Sequence, residues 1–142
     1  MSLVLDASMA LGWILKRSKP VETALAAEAL DAVRDKGAVV PSLWYAEVGN
    51  ALLLAERQRV ITAAQSSSYL ASLRYWQIDQ DTTLPAECQP QVVQLGRLYR
   101  LTAYDATYLE LALRRGLPLA TFDAPLANAL RQAGGQVFGD AA

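Results

Sequence analysis

Four acidic side chains stand where an ordinary surface carboxylate would not. Asp6 ends the apolar run Ser2-Leu-Val-Leu-Asp6, and Asp123 directly follows the run Leu119 to Thr121. Each therefore belongs at the carboxyl end of a short buried strand. Glu47 has Leu43, Trp44, Asn50, Ala51 and Leu54 as its helical neighbours, a mostly apolar stripe. Asp105 shares such a stripe with Leu101, Tyr108, Leu109 and Ala112. Taken singly, each has a plain alternative. Asp6 (with Ser8) and Asp123 (ahead of Pro125) could cap helices, Thr102-x-x-Asp105 has the form of a capping box, and Glu47 could pair with an arginine or point outward at a bend. Taken together they ask for a common partner, because an unpaired buried carboxylate costs several kcal/mol or is forced to take up a proton. A hard divalent cation, Mg²⁺ or Mn²⁺, prefers oxygen ligands and would neutralise converging carboxylates.

What the chain lacks narrows the chemistry further. Among 142 residues there is no histidine, which removes Ser-His-Asp triads, Cys-His pairs and His-ligated metal sites. Cys88 is the single cysteine, so neither an internal disulfide nor a thiolate cluster can form, and a reducing cytoplasm is the expected location. Thirteen basic residues oppose fourteen acidic ones for a net charge of −1, so non-specific capture of nucleic acid by bulk charge is not available. Any contact with nucleic acid must use local patches or bound metal. The apolar start is interrupted by Asp6 and has no basic residues ahead of it, and no run of 18 apolar residues occurs, so neither a signal peptide nor a membrane span is expected. With 53 % hydrophobic residues in so short a chain, some apolar surface should stay outside as a partner-binding face.

The elements that must position these acids alternate between short apolar runs and helical patterns. After the first strand a helix is expected from Ala7 to about Arg17, then Pro20 near the start of a helix from Val21 to Lys36, ended by Gly37. Ala38-Val-Val40 is a second buried strand, and Ser42 precedes a helix from Leu43 to about Arg57. Thr62-Ala-Ala-Gln65 is a capping box for a helix lasting to about Tyr75, and Trp76 to Asp79 is a third short strand. A polar loop over Asp81 to Gln89 leads to a helix from Pro90 to Arg100, and a further helix runs from Thr102 to Gly116. Pro118 to Thr121 is a strand, Asp123 to Ala133 a helix and Gln136-Val-Phe138 a last strand. Strands separated by helices predict a parallel sheet covered on both faces, within one domain spanning residues 1–142. Sites in such sheets form beyond the carboxyl ends of the strands, so Asp6 and Asp123 meet if their strands are neighbours. Glu110 and Arg114, and Asp31 and Arg34, have the spacing of ion pairs on wet helix faces.

The segments Val4-Leu-Asp-Ala-Ser8, Ala46-Glu-Val-Gly-Asn-Ala-Leu52, Leu101-Thr-Ala-Tyr-Asp-Ala106 and Leu119-Ala-Thr-Phe-Asp123 occur in this order across nearly the whole chain. In this the sequence resembles the PIN domain and, within it, the VapC-like toxin ribonucleases. The resemblance implies an α/β three-layer sandwich with a five-stranded parallel sheet in the order 3-2-1-4-5. It places Asp6, Glu47, Asp105 and Asp123 at the family's acidic, metal-holding positions. It puts Ser8 and Thr121 where hydroxyls support the acids, and Asn50 where a polar companion is frequent. The implied activity is endonucleolytic hydrolysis of RNA, with Mg²⁺ or Mn²⁺ activating water and stabilising the leaving oxygen. Basic residues near the rim, Lys16, Arg17, Lys19, Arg97 and Arg100, are candidates to hold substrate, against the plain reading of solvated helix ends. The resemblance further implies a homodimer and a small antitoxin protein as partners.

Two other readings stand beside this one. A non-catalytic PIN scaffold would bind RNA or protein without cutting. A receiver-like domain would accept a phosphoryl group on an aspartate, but receivers want an acidic pair before the first helix and a late lysine, and the last lysine here is Lys36.

Overall fold

The computed structural model describes residues 2–141; residues 1 and 142, the two ends of the expected domain, lie outside the described residues. The elements run β1 (Leu3–Leu5), α1 (Ala7–Leu11), α2 (Pro20–Lys36), β2 (Ala38–Val40), α3 (Leu43–Arg57), α4 (Ala63–Leu73), β3 (Ile78–Gln80), α5 (Pro85–Tyr99), α6 (Ala103–Arg115), β4 (Leu119–Ala120) and α7 (Ala124–Gln132). The strands form one parallel sheet in the order β3-β2-β1-β4. β1 lies between β2 (Leu3↔Ala38, Val4↔Val39) and β4 (Val4↔Leu119, Leu5↔Ala120). Every residue of β1, β2 and β4 is buried, which requires helices on both faces of the sheet, as the unbroken apolar runs predict. The adjacency of the strands ending in Asp6 and Asp123 is therefore present.

The expected fifth strand is reduced to a single bridge, Leu119↔Val137. Two backbone bonds hold it: the Leu119 N–H donates to Gln136 at 3.0 Å, and the Phe138 N–H donates to Leu119 at 2.8 Å. Only Val137 of that segment is buried, so the segment lies at the expected edge of β4 without becoming a strand.

Helix boundaries differ where a local signal was misweighted. α1 stops at Leu11 rather than Arg17, because the chain turns at Gly12; a Cβ there would come within 3.1 Å of the Phe122 ring and 3.3 Å of Ala26. α5 begins at Pro85, not Pro90, since Pro85 supplies the first-turn position that suits proline and Pro90 falls inside the helix. The capping box at Thr62 forms as expected, with the Gln65 N–H donating to Thr62 Oγ1 at 3.1 Å and the Thr62 N–H to Gln65 Oε1 at 2.8 Å. Glu110 is buried rather than on a wet face. Arg114 Nε contacts it at 2.9 Å while Nη2 reaches Asp81 at 2.6 Å, so one guanidinium ties α6 to the loop after β3. Among the described residues no helix is long and apolar enough to cross a membrane.

Candidate active site

At the rim of the sheet, Asp6 follows β1 and caps α1: its Oδ1 accepts the Met9 N–H at 2.9 Å and the Ser8 hydroxyl at 2.7 Å. Its Oδ2 accepts the Thr121 hydroxyl from the end of β4. The Thr121 Oγ1 also accepts the Asp123 N–H at 2.9 Å, and the Ser8 Oγ accepts the Phe122 N–H at 2.9 Å. The two hydroxyls thus stitch the ends of β1 and β4 together around Asp6. Asp123 caps α7 through Oδ1, which accepts the Leu126 N–H at 2.9 Å. The capping roles that looked like alternatives to a site are present at both acids. A carboxylate has more acceptor positions than a cap consumes, so capping and further coordination are compatible.

Asp105 lies in the first turn of α6, where the Thr102 hydroxyl accepts its backbone N–H at 3.2 Å. Glu47, half-buried on α3, accepts a hydrogen bond from the phenol of Tyr108 at 2.5 Å. Tyr108 is buried on α6, three residues after Asp105, so this bond joins α3 to α6 at the acids. In the sequence Tyr108 counted as part of an apolar stripe. Its hydroxyl became visible only once the fold brought α3 alongside.

The acids share one electrostatic environment. Burial pushes the Asp6 carboxyl up to about 6; Thr121, the Met9 N–H and Ser8 pull it back down, and the charge of Asp123 adds to the rise. Burial also raises Asp105, and the charges of Asp123 and Glu47 raise it further. The Tyr108 phenol is driven well above its ordinary value by burial first, then by the bond to Glu47. Among the described residues the ion pairs engage Glu22, Asp81, Glu110 and Asp140, and none reaches any of the four site acids. The arginine neutralisation that would have given Glu47 a plain structural role is absent.

The donor chemistry, four hard oxygen carboxylates that form no ion pair among the described residues, fits a divalent ion. Their placement is looser than their chemistry: among the described residues no three His, Cys, Asp or Glu side chains are gathered closely enough to grip a metal as they stand. Four surface grooves of about 450 to 580 Å³ are lined by other residues. The one of about 450 Å³ between α5 and α6 is walled by Asp81, Glu110 and Arg114, whose charges satisfy one another.

Of the candidate basic residues, Arg17 stacks on the residue preceding Asp123, its guanidinium 4.2 Å from the centre of the Phe122 ring, and it pairs with Glu22 at 2.9 Å. Lys16 and Lys19 are exposed on the segment leading into α2. Arg97 is exposed near the end of α5, and Arg100 caps that helix in a left-handed conformation (φ 55°), five residues before Asp105. Asn50 is exposed and, among the described residues, makes no hydrogen bond to Glu47, so nothing marks it as a companion of that acid.

With that geometry in hand, the profile of the PIN domain matches residues 3–129. A solved structure, PAE2754 from Pyrobaculum aerophilum, superposes with a TM-score of 0.65 at 24 % identity, covering 94 % of this chain and 86 % of that one. No curated protein matches the chain.

Proposed function

The chain belongs to the PIN domain family, and from that premise we propose that it is a metal-dependent endoribonuclease, the toxin of a VapBC-like toxin–antitoxin pair. PIN domains are typically nucleases acting on RNA and generally use divalent metal ions. The observation that carries the proposal is the set of four acids gathered around the ends of β1 and β4, none of which, among the described residues, forms an ion pair. Asp6 and Asp105 are proposed as direct ligands of Mg²⁺ or Mn²⁺, with Glu47 and Asp123 completing the set directly or through water. When bound, such an ion withdraws charge from a phosphate oxygen and makes water a better nucleophile at neutral pH. The chain's own part is to hold the donors. Thr121 and Ser8 orient Asp6, the α7 cap fixes one oxygen of Asp123, and the sheet register sets the two side by side. Arg17, Lys16, Lys19, Arg97 and Arg100 are the proposed phosphate contacts along a polymer.

A structured RNA incubated with the protein should be cut internally in Mg²⁺ or Mn²⁺ and left intact in EDTA. Asp105→Ala should abolish cleavage, by 10²-fold or more, while keeping its circular dichroism. Cleavage in EDTA, or by the variant, would overturn the proposal. The absence of a closed three-ligand shell favours one competitor, a non-catalytic PIN scaffold, and RNA binding without metal-dependent cleavage would establish it. The receiver-like alternative has lost its footing, because doubly wound receivers order their strands 2-1-3-4-5 and this sheet runs 3-2-1-4.

A further inference from the structure

We infer that Tyr108 is a positioning residue for Glu47: its buried hydroxyl, 2.5 Å from Glu47 Oε1, holds that carboxylate at the rim where Asp6 and Asp105 lie. This deepens the metal-nuclease reading and rests on it. The geometry favours positioning over mere packing for three reasons.

Glu47 reaches the site from α3 along a flexible side chain, whereas Asp6, Asp105 and Asp123 are short acids fixed near helix starts. Of the four it has the most rotamer freedom to lose, and therefore gains most from a fixed donor. The phenol is 2 % exposed, so its orientation is set by packing and solvent cannot replace its bond to Glu47. The bond also occupies a single oxygen. Among the described residues Oε2 of Glu47 has no hydrogen bond, which leaves that oxygen available to a further partner. Tyr108 lies close enough to Asp6 to feel its charge, and the Ala7 backbone N–H lies beside the same phenol oxygen. One hydroxyl therefore joins the start of α1, the middle of α3 and the first turns of α6. Ligands that bind metals are commonly oriented by such outer hydrogen bonds, whose loss costs about 10- to 100-fold in metal affinity.

The test is a titration of the full chain with Mn²⁺ alone, followed by the electron paramagnetic resonance of free Mn²⁺, for wild type, Tyr108→Phe, Glu47→Gln and the double variant. Tyr108→Phe keeps the ring, and thermal melting in EDTA checks that the fold is retained. The expected result is an Mn²⁺ affinity weaker by about tenfold or more in Tyr108→Phe, with no further loss when the same change is made in Glu47→Gln, because the hydroxyl acts through that carboxylate. Unchanged affinity in Tyr108→Phe, or a loss that adds in full to that of Glu47→Gln, would overturn the inference while leaving the metal site standing. A wild-type chain that binds no Mn²⁺ would overturn the metal-nuclease reading and this inference with it.

Discussion

Burial lifts the Asp6 carboxyl from 3.8 to about 6 even though three donors oppose the rise. Folding therefore favours the protonated acid. That contribution to stability is fully present below pH 4 and is lost as pH climbs through 6, on the order of 3 kcal/mol by neutrality. Asp105, raised by burial and by Asp123 and Glu47, works in the same direction. In EDTA, then, Asp6→Asn should melt at a higher temperature than wild type at pH 7.5, by a margin that shrinks toward pH 4. Thermal melts across that range check this. A margin independent of pH would mean that the charge on Asp6 carries no such penalty. The acids were legible from the sequence because a carboxylate on an apolar stripe or at a strand end is conspicuous by type alone. Tyr108 was not legible, because a tyrosine on a helix looks like packing until its hydroxyl has a partner, and that partner is 61 residues away. Glu110 misled for the related reason that its i,i+4 spacing to Arg114 says nothing of Asp81, which arrives from another element and closes the network over it.

Among the elements, α3 carries the most varied duties. It buries Trp44, Val48, Leu52 and Ala55, leaves Tyr45, Leu53 and Leu54 outside, and delivers Glu47 between the two sides. Gly49 sits within it with open space where a Cβ would go. Gly49→Ala should therefore stabilise the free chain by about 0.5–1 kcal/mol through helix propensity alone, as urea denaturation would register. No gain would mean that the backbone at Gly49 departs from regular helix. The elements as a whole were readable wherever apolar periodicity was long, as in α2, α3 and α6. They were misread where a single proline or glycine carried the argument. Two prolines five residues apart both suit a helix start, and only the first supplies it. Gln136-Val-Phe138 has the residues of a strand, but the two glycines before it and its single buried side chain leave one bridge in its place.

For the molecule as a whole, large apolar side chains stand exposed on several elements, among them Tyr45, Leu53 and Leu54 on α3, Leu70 on α4 and Leu98 on α5. If the proposed homodimer forms, it buries part of this surface. Sedimentation equilibrium should give a dimer for wild type and a monomer for Leu54→Glu, whose charge lands on that face without touching the core. A monomeric wild type would remove the homodimer and leave the face to a different protein.

The pairing of Leu5 with Ala120 has a consequence for how the chain comes to life. Successive strand residues point to opposite sides, so sliding β4 past β1 by a single position would turn Thr121 away from Asp6 and take Asp123 with it. Nothing in the helices would record such an error. If the chain is the nuclease proposed above, a population trapped in that arrangement would show full helical content and no cleavage, and the active fraction after refolding would measure the alignment of two very short strands.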